Sequence, residues 1–506
     1  MTQPSSSILI IGGGTAGWLT ACYLARHFDI AGSKDIAITL VESSAIGTIG
    51  VGEGGFPTLR TTLQFLGIDE RAFIRQTSAT FKQGIRFDNW RTAPEGSPKH
   101  SYFHPFEAPL HAQDQNLVEL WLALDPATRP GFGEAVTIQQ HVSAAARGPK
   151  GADDGDFTAP LSYAYHFDAE RLSAVLAARA TELGVIRIDD RLLAAERGPE
   201  GLAGVRFERS GTLRADLYID CTGLNAELIG GVLAEPLTSV RNHLFTDRAL
   251  ACRISNASKN ADLPSHTVAT AHEAGWFWDI ALRDRRGIGC VYSSDYLDDE
   301  RAVALLAAYP GVGKAAAEGA RLICFEPGYR KHHWVGNCVA VGLSAGFVEP
   351  LEATGIVMIE AAAAMIAEFW APEGPVTAAA ERFNALMAKR YDNLVSFLKL
   401  HYCLSDRPEP FWRANADPQS VPSALSALLE EWRWRIPSRF DVAHGTDTFA
   451  HFSYQYVLYG MNFATILRTR SAATEGDFFR QIRMYGEQAS RDLPSHRVLI
   501  DQINAN

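Results

Sequence analysis

The sequence predicts an α/β fold, and three observations carry that prediction. A short apolar run, Ile8–Ile11, leads into Gly12, Gly14 and Gly17 in G-x-G-x-x-G spacing, and a helical pattern continues from Leu19 to Phe28. A second apolar run, IAITLVE, ends on the acid Glu42. Much later, NCVAVG at Asn337–Gly342 repeats the pattern of a buried strand ending in glycine. A strand, a glycine turn and a helix N-terminus together make a pyrophosphate site. Gly12 allows the tight turn, Gly14 lets the backbone approach phosphate, and Gly17 lets the helix pack on the strand. Thr15 and Ala16 lie in the same turn, where free helix N–H groups face the anion. An acid at the Glu42 position can hold a ribose hydroxyl, which favours an adenine dinucleotide without a 2′-phosphate. The fingerprint does not by itself choose FAD over NAD.

The remaining elements follow in order. Residues 92–160 are rich in Pro, Gly, Ala, Asp and Gln without sustained period, so loops and short helices on the substrate side are expected. Helical periodicity returns over Asp168–Leu183. Strand patterns follow in VIRID, GVRFER and DLYIDCTG, then in WFWDIAL and GIGCVYSS, joined by the charged turn RDRRG. From Ala379 the pattern is helical and aromatic-rich. The segment LSAGFVEPLEATGIVMIEAAAAMI after Gly342 reads as a second return to the cofactor. A NAD-only Rossmann domain lacks such a return, so FAD becomes the better cofactor. The fold expected is a Rossmann-like, flavin-monooxygenase-type core over residues 1–360, with an additional antiparallel sheet. A mainly helical region over 361–506 packs on that core and completes the substrate site.

Composition narrows the function classes. With 506 residues the chain can bury a large core, and 47% hydrophobic with 21% charged residues is ordinary for a soluble globular protein. The net charge of −11 argues against nucleic-acid binding. No run of 18 apolar residues suggests a membrane span. MTQPSSS lacks the basic start of a signal peptide, so a cytoplasmic protein is expected. The seven cysteines form no C-x-x-C pair, and most are expected as reduced core residues. No histidine spacing suits a zinc site, so no metal is expected. Apolar C-terminal stretches suit either core or a dimer face, which leaves a homodimer open.

The chain resembles the flavin-dependent halogenases of the tryptophan-halogenase family. The likeness rests on GGGTAGW (12–18), TIGVGEGGFPTL (48–59), TFKQGIRFDNW (80–90), AYHFDAERL (164–172), GWFWDIAL (275–282), VAVGLSAGFVEPLEATGI (339–356) and LHYCLSDRPEPFW (400–412). The resemblance implies an enzyme that uses reduced FAD, O₂ and halide to halogenate an electron-rich aromatic. In such enzymes a flavin hydroperoxide yields a hypohalous acid equivalent, which passes to a lysine beside the substrate. No NAD-binding fingerprint is evident, so a separate NAD(P)H flavin reductase is the expected functional partner.

Lys82 matches the family lysine. By residue type alone it would be a solvated surface lysine, whereas the family segment makes it the group that orients the hypohalous acid or becomes a haloamine. Glu352 matches the family carboxylate that stabilises the arenium cation and takes its proton. Judged alone, it is a first-turn glutamate favoured by a helix dipole. Glu349, one turn earlier, is the neighbour with which it could be confused. Thr354 and Gly355 match the halide-side backbone. Gly52, Gly342, Leu343, Gly355 and Ile356 match FAD-side positions. Ala353 stands where many relatives have serine.

The family signature W-x-W-x-I-P occurs literally at Trp432–Pro437, which we read as a decoy. Its contextual match is Trp276-Phe277-Trp278-Asp279-Ile280-Ala281, with alanine replacing proline. Trp276 and Trp278, at strand spacing on one face, are expected to keep substrate away from flavin; an aromatic core pair would look the same in sequence. Phe103, His104, Phe106 and Phe449 are the expected substrate-side residues. Phe449 and Ser453 stand where tryptophan-specific members often carry Trp and Asn, and His444 is nearest to an expected acid. Indole or a simple derivative is therefore expected rather than free tryptophan, with bromide and chloride both open. The rival readings are a flavin-dependent aromatic hydroxylase and a non-catalytic flavin- or indole-binding protein.

Overall fold

The computed structural model describes residues 5–33, 35–47, 53–92, 100–112, 115–258, 260–374, 376–443, 447–467 and 477–505. Gly52 and His444 lie outside the described residues. The chain forms two compact units that interleave along it. One takes residues 1–77, 167–240 and 325–392; the other takes 78–166, 241–324 and 393–506.

The first unit contains, among the described residues, a six-stranded sheet. Its strand order is Ile186–Asp189, Ile36–Glu42, Ser6–Ile11, Leu217–Asp220, Cys338–Ala340 and Trp334–Val335. Neighbouring strands among the first five are parallel, and the last two form an antiparallel hairpin. The continuous apolar runs read from the sequence suit parallel strands covered on both faces. The helix Thr15–His27 links the first two strands in the chain and packs against the helices Ala169–Glu182 and Gly355–Phe369. Asp168 caps the helix Ala169–Glu182, its side chain accepting from the N–H groups of Glu170 and Arg171. One cluster of the core includes Leu9, Ile11, Val41, Tyr218 and Ala340. Burying each large aliphatic side chain there stabilises the fold by about 1.5–3 kcal/mol. Asp220 is fully buried among them. Its carboxylate accepts from the Thr222 N–H and hydroxyl and from the N–H groups of Leu228 and Ile229, which offsets its desolvation.

In the second unit the described residues form a seven-stranded sheet. Its order is Arg321–Cys324, Arg248–Ser255, Arg285–Tyr292, Gly275–Ala281, Thr267–His272, Gly84–Asp88 and Ser101–Pro105. All pairings are antiparallel except Thr267–His272 with Gly84–Asp88. This is the antiparallel sheet expected from WFWDIAL and GIGCVYSS. Residues 117–144 supply three short helices, as the composition of 92–160 suggested. Beyond residue 347 the described regular structure is helical. Among the described residues no helix is long and apolar enough to cross a membrane.

Candidate active site

In the first unit the glycine turn is built as its spacing requires. Gly12 sits at φ +113°, where a Cβ would fall 2.2 Å from the Cys221 carbonyl oxygen. A Cβ on Gly17 would fall 1.9 Å from the Gly12 carbonyl oxygen, whereas one on Gly14 would meet no atom within 4 Å. Gly14 therefore borders open space at the start of the helix Thr15–His27. That helix has no side-chain cap and no acid in its first turn. Uncapped N–H groups beside an open glycine fit an anion. Thr15 and Ala16 lie in that first turn; the Thr15 hydroxyl lies 3.2 Å from that of Ser173.

Glu42 ends its strand as expected. Its carboxylate accepts from the Trp18 indole N–H at 3.2 Å and pairs with Arg187 at 2.6 Å. Gly342 and Leu343 form the turn after the strand Cys338–Ala340. Gly342, at φ +75°, approaches Ala16 closely: a Cβ there would lie 2.7 Å from that of Ala16. The first unit thus joins residues 12–17 to the late strand and turn.

Glu352 is 3% exposed and Glu349 1%. Glu352 and Ala353 stand consecutively in the left-handed region, at φ +64° and +56°, closed by the Ala353 N–H on the Pro350 carbonyl. Such conformations cost about 1–3 kcal/mol each for residues other than glycine and persist where packing enforces them. Leu351, 1% exposed, supplies such packing. Thr354 occupies the N-cap position of the helix Gly355–Phe369, which again has no side-chain cap and no acid in its first turn. A Cβ on Gly355 would meet nothing within 4 Å. Gly355 and Ile356 therefore begin a second open helix end.

In the second unit Lys82 is fully buried, on the strand Thr80–Lys82. The reading as a surface lysine is excluded. Its ammonium lies 5.4 Å from the centroid of the half-buried Phe106 ring. The strand is held on several sides. The Thr80 hydroxyl donates to the Ala281 carbonyl at 2.7 Å, the Phe81 N–H donates to His496 Nε2 at 2.9 Å, and the Gln83 N–H donates to the Ser265 carbonyl at 2.7 Å. His496 Nδ1 faces the Leu263 carbonyl at 3.0 Å, so the geometry assigns the neutral Nδ1–H tautomer. Burial pushes His496 down to about 4. Burial first, and then the Lys82 charge, holds His166 well below the usual histidine range.

His104 and Phe103 face opposite sides of their strand, as alternation requires. Phe103 meets His266 edge-on at 5.8 Å. His104 joins a ring cluster with Phe397 at 5.9 Å, Phe449 at 6.1 Å and Tyr456 at 6.2 Å. Phe397 and Phe449 are stacked at 3.8 Å. The structure thus brings His104 and Phe449 together and leaves Phe103 on the other face. The sequence reading missed Phe397, Tyr456 and Phe132, which packs on Tyr456 at 5.4 Å. Phe397 and His401, four residues apart on one helix, offered a signal. Their partners His104 and Tyr102 are two apart on a strand, and the Tyr102 hydroxyl lies 2.7 Å from His401 Nδ1.

Trp276 and Trp278 lie on the strand Gly275–Ala281, both buried, with ring centroids 6.3 Å apart. Their indole N–H groups are buried without an acceptor. Trp278 lies across Gly289, which has no side chain to obstruct it. In the other W-x-W segment, Trp432 is buried at a helix end with its N–H on Asp441, while Trp434 is 57% exposed.

Comparison with known proteins settles the family. The sequence profile described as Tryptophan halogenase matches residues 7–475. The chain belongs to the tryptophan halogenase family. It is therefore an enzyme of the flavin-dependent halogenases. The crystal structure of a tryptophan halogenase from Shewanella frigidimarina NCIMB 400 superposes with a TM-score of 0.93 at 38% identity, covering 99% of this chain and 98% of that one. BrvH, a flavin-dependent halogenase from Brevundimonas sp. BAL3, gives a TM-score of 0.87 at 29% identity, with 98% and 99% covered. The tryptophan 6-halogenase SttH of Streptomyces toxytricini is 32% identical over 482 residues, 91% of this chain and 90% of its own length. The family and these structures also bear out the Rossmann-like α/β fold class.

Proposed function

We propose that this halogenase family member installs bromine or chlorine on indole or a simple indole derivative, using FADH₂ and O₂. The single observation that carries the reading is the fully buried Lys82 beside Phe106. Lysine is rarely fully buried, and a small aromatic against Phe106 would lie within reach of its ammonium. The residues that would hold FAD are Gly12, Gly14, Thr15, Ala16, Gly17, Glu42, Gly52, Gly342, Leu343, Gly355 and Ile356. The two uncapped helix ends and the open faces at Gly14 and Gly355 support that assignment. Reduced FAD, when bound, supplies the two electrons with which O₂ and halide become hypohalous acid and water.

The chain's own residues do the rest. The backbone N–H groups at Thr354 and Gly355 hold the halide. The buried N–H donors of Trp276 and Trp278 suit a small polar oxidant in transit, while the two rings keep the aromatic substrate away from the flavin. Lys82 donates a hydrogen bond to the hypohalous acid and fixes its halogen towards the ring. The ring attacks, and the Glu352 carboxylate stabilises the resulting cation and takes its proton. His104, Phe106 and Phe449 shape the aromatic site, and Phe103, expected there from the sequence, lies on the opposite face of the strand against His266. A separate NAD(P)H flavin reductase supplies the reduced flavin.

The test combines purified protein, FAD, a flavin reductase, NADH, O₂ and indole, with bromide or chloride in parallel, read by mass spectrometry. Haloindole with the halogen isotope pattern is expected only with enzyme and halide. Lys82→Ala is expected to abolish it while FAD still binds. Glu352→Gln is expected to slow it by about 100-fold or more. Hydroxyindole formed irrespective of halide would assign the chain to oxygen insertion instead, and product retained by Lys82→Ala would overturn the role of the lysine.

A further inference from the structure

Tyr456 lies within the helix His451–Gly460 and is 1% exposed. Its ring packs between His104 and Phe132. Its hydroxyl is buried and has no hydrogen-bond partner. Nothing in the ring cluster relieves it. Glu107, whose charge is felt at Tyr456, already accepts from the Ser162 N–H at 3.0 Å and from the Thr137 hydroxyl at 3.4 Å. Buried hydroxyls are almost always paired, and one that is not calls for a ligand or a compensating role. Phenylalanine would fill the same volume without that cost. The ring partner His104 is two residues from Phe106, over which the Lys82 ammonium sits. An unpaired hydroxyl within an aromatic cluster suits recognition of a polar atom on an aromatic ligand.

We propose that Tyr456 is a specificity-determining residue, whose hydroxyl accepts a hydrogen bond from the ring N–H of an indole-type substrate seated against His104. This rests on the proposed halogenation of indoles and deepens it. As halogen adds to the ring, positive charge spreads onto the indole nitrogen and its N–H becomes more acidic. The bond to Tyr456 therefore strengthens in the transition state and contributes to kcat, not only to KM.

The test is Tyr456→Phe, assayed with indole and with N-methylindole, which lacks the donor. In kcat/KM, indole is expected to lose about tenfold more than N-methylindole, with most of the difference in kcat. Direct binding by calorimetry is expected to weaken about threefold for indole and less for N-methylindole. The melting temperature of the ligand-free variant is expected to hold or rise, because a buried unpaired hydroxyl has been removed. Equal losses on both ligands, or a lower melting temperature with equal losses, would overturn the assignment and leave Tyr456 a packing residue. Selective weakening of indole binding in a protein that forms no haloindole would uphold Tyr456 and sink the halogenation reading alone.

Discussion

A Cβ added at Gly14 meets open space, while one added at Gly17 strikes the Gly12 carbonyl oxygen at 1.9 Å. The two glycines of one fingerprint therefore answer to different demands. Gly14 has ordinary backbone angles, φ −75° and ψ −177°. Gly14→Ala is expected to fold with its melting temperature within a few degrees of the parent and to bind FAD at least tenfold more weakly. Gly17→Ala is expected to lower the melting temperature of the ligand-free protein, because helix and strand must separate. Thermal unfolding and FAD titration of the two variants check the contrast; equal destabilisation of both would remove the phosphate role from Gly14. The close approach at Gly17 was legible in the glycine spacing, from which the phosphate role of Gly14 is proposed. The burial of Lys82 was legible only through its family segment, since residue type argued for the surface. The left-handed backbone at Glu352 and Ala353 was not legible at all. Neither residue is one that favours positive φ, and the turn closed by the Ala353 N–H on the Pro350 carbonyl holds them there.

The strand that carries Lys82 is three residues long, too short for alternation to reveal it, and its main-chain partner at Phe81 is a histidine 415 positions away. A short element with so distant an anchor depends on the protonation state of that anchor. His496 uses one nitrogen as donor and the other as acceptor, which only the neutral ring can do. Its folded-state value is depressed to about 4, against an unfolded value near 6.5. Between those limits the unfolded chain binds a proton that the folded chain refuses, so stability rises with pH across the window. As pH falls, the loss begins near 6.5 and is complete near 4. His266 and His272, both buried and pushed down to about 3, add to the same slope. His496→Gln, whose amide can still accept from Phe81 and donate to Leu263, is expected to remove one proton's share of that slope and retain halogenation. Melting temperatures of parent and variant between pH 4 and 7.5 measure it, and an identical slope would show that His496 titrates alike in the folded and unfolded chain.

At the scale of the molecule, the chain crosses between its two units after residues 77, 166, 240, 324 and 392. The parallel sheet was legible because each of its main strands is a continuous apolar run. The interleaving was not, because a crossing leaves no mark in composition: residues on either side of each crossing are equally ordinary. The proposed FAD residues come from distant stretches of one unit, around residues 12–17, 42 and 342–356. The proposed aromatic residues come from distant stretches of the other. A ligand that binds the folded state stabilises the whole cooperative unit that forms its site. FAD is therefore expected to slow amide hydrogen exchange together in residues 6–27, 36–42, 217–230 and 338–360, although more than 300 positions separate the first from the last. Indole is expected to do so in 101–106, 393–403 and 451–460. Exchange followed by mass spectrometry on the free and ligand-bound protein resolves these peptides. If FAD protected only the peptides around the first glycine turn, the late strand and turn at 338–356 would have no share in the cofactor site. Thr354, Gly355 and Ile356 would then lose their proposed place beside the flavin.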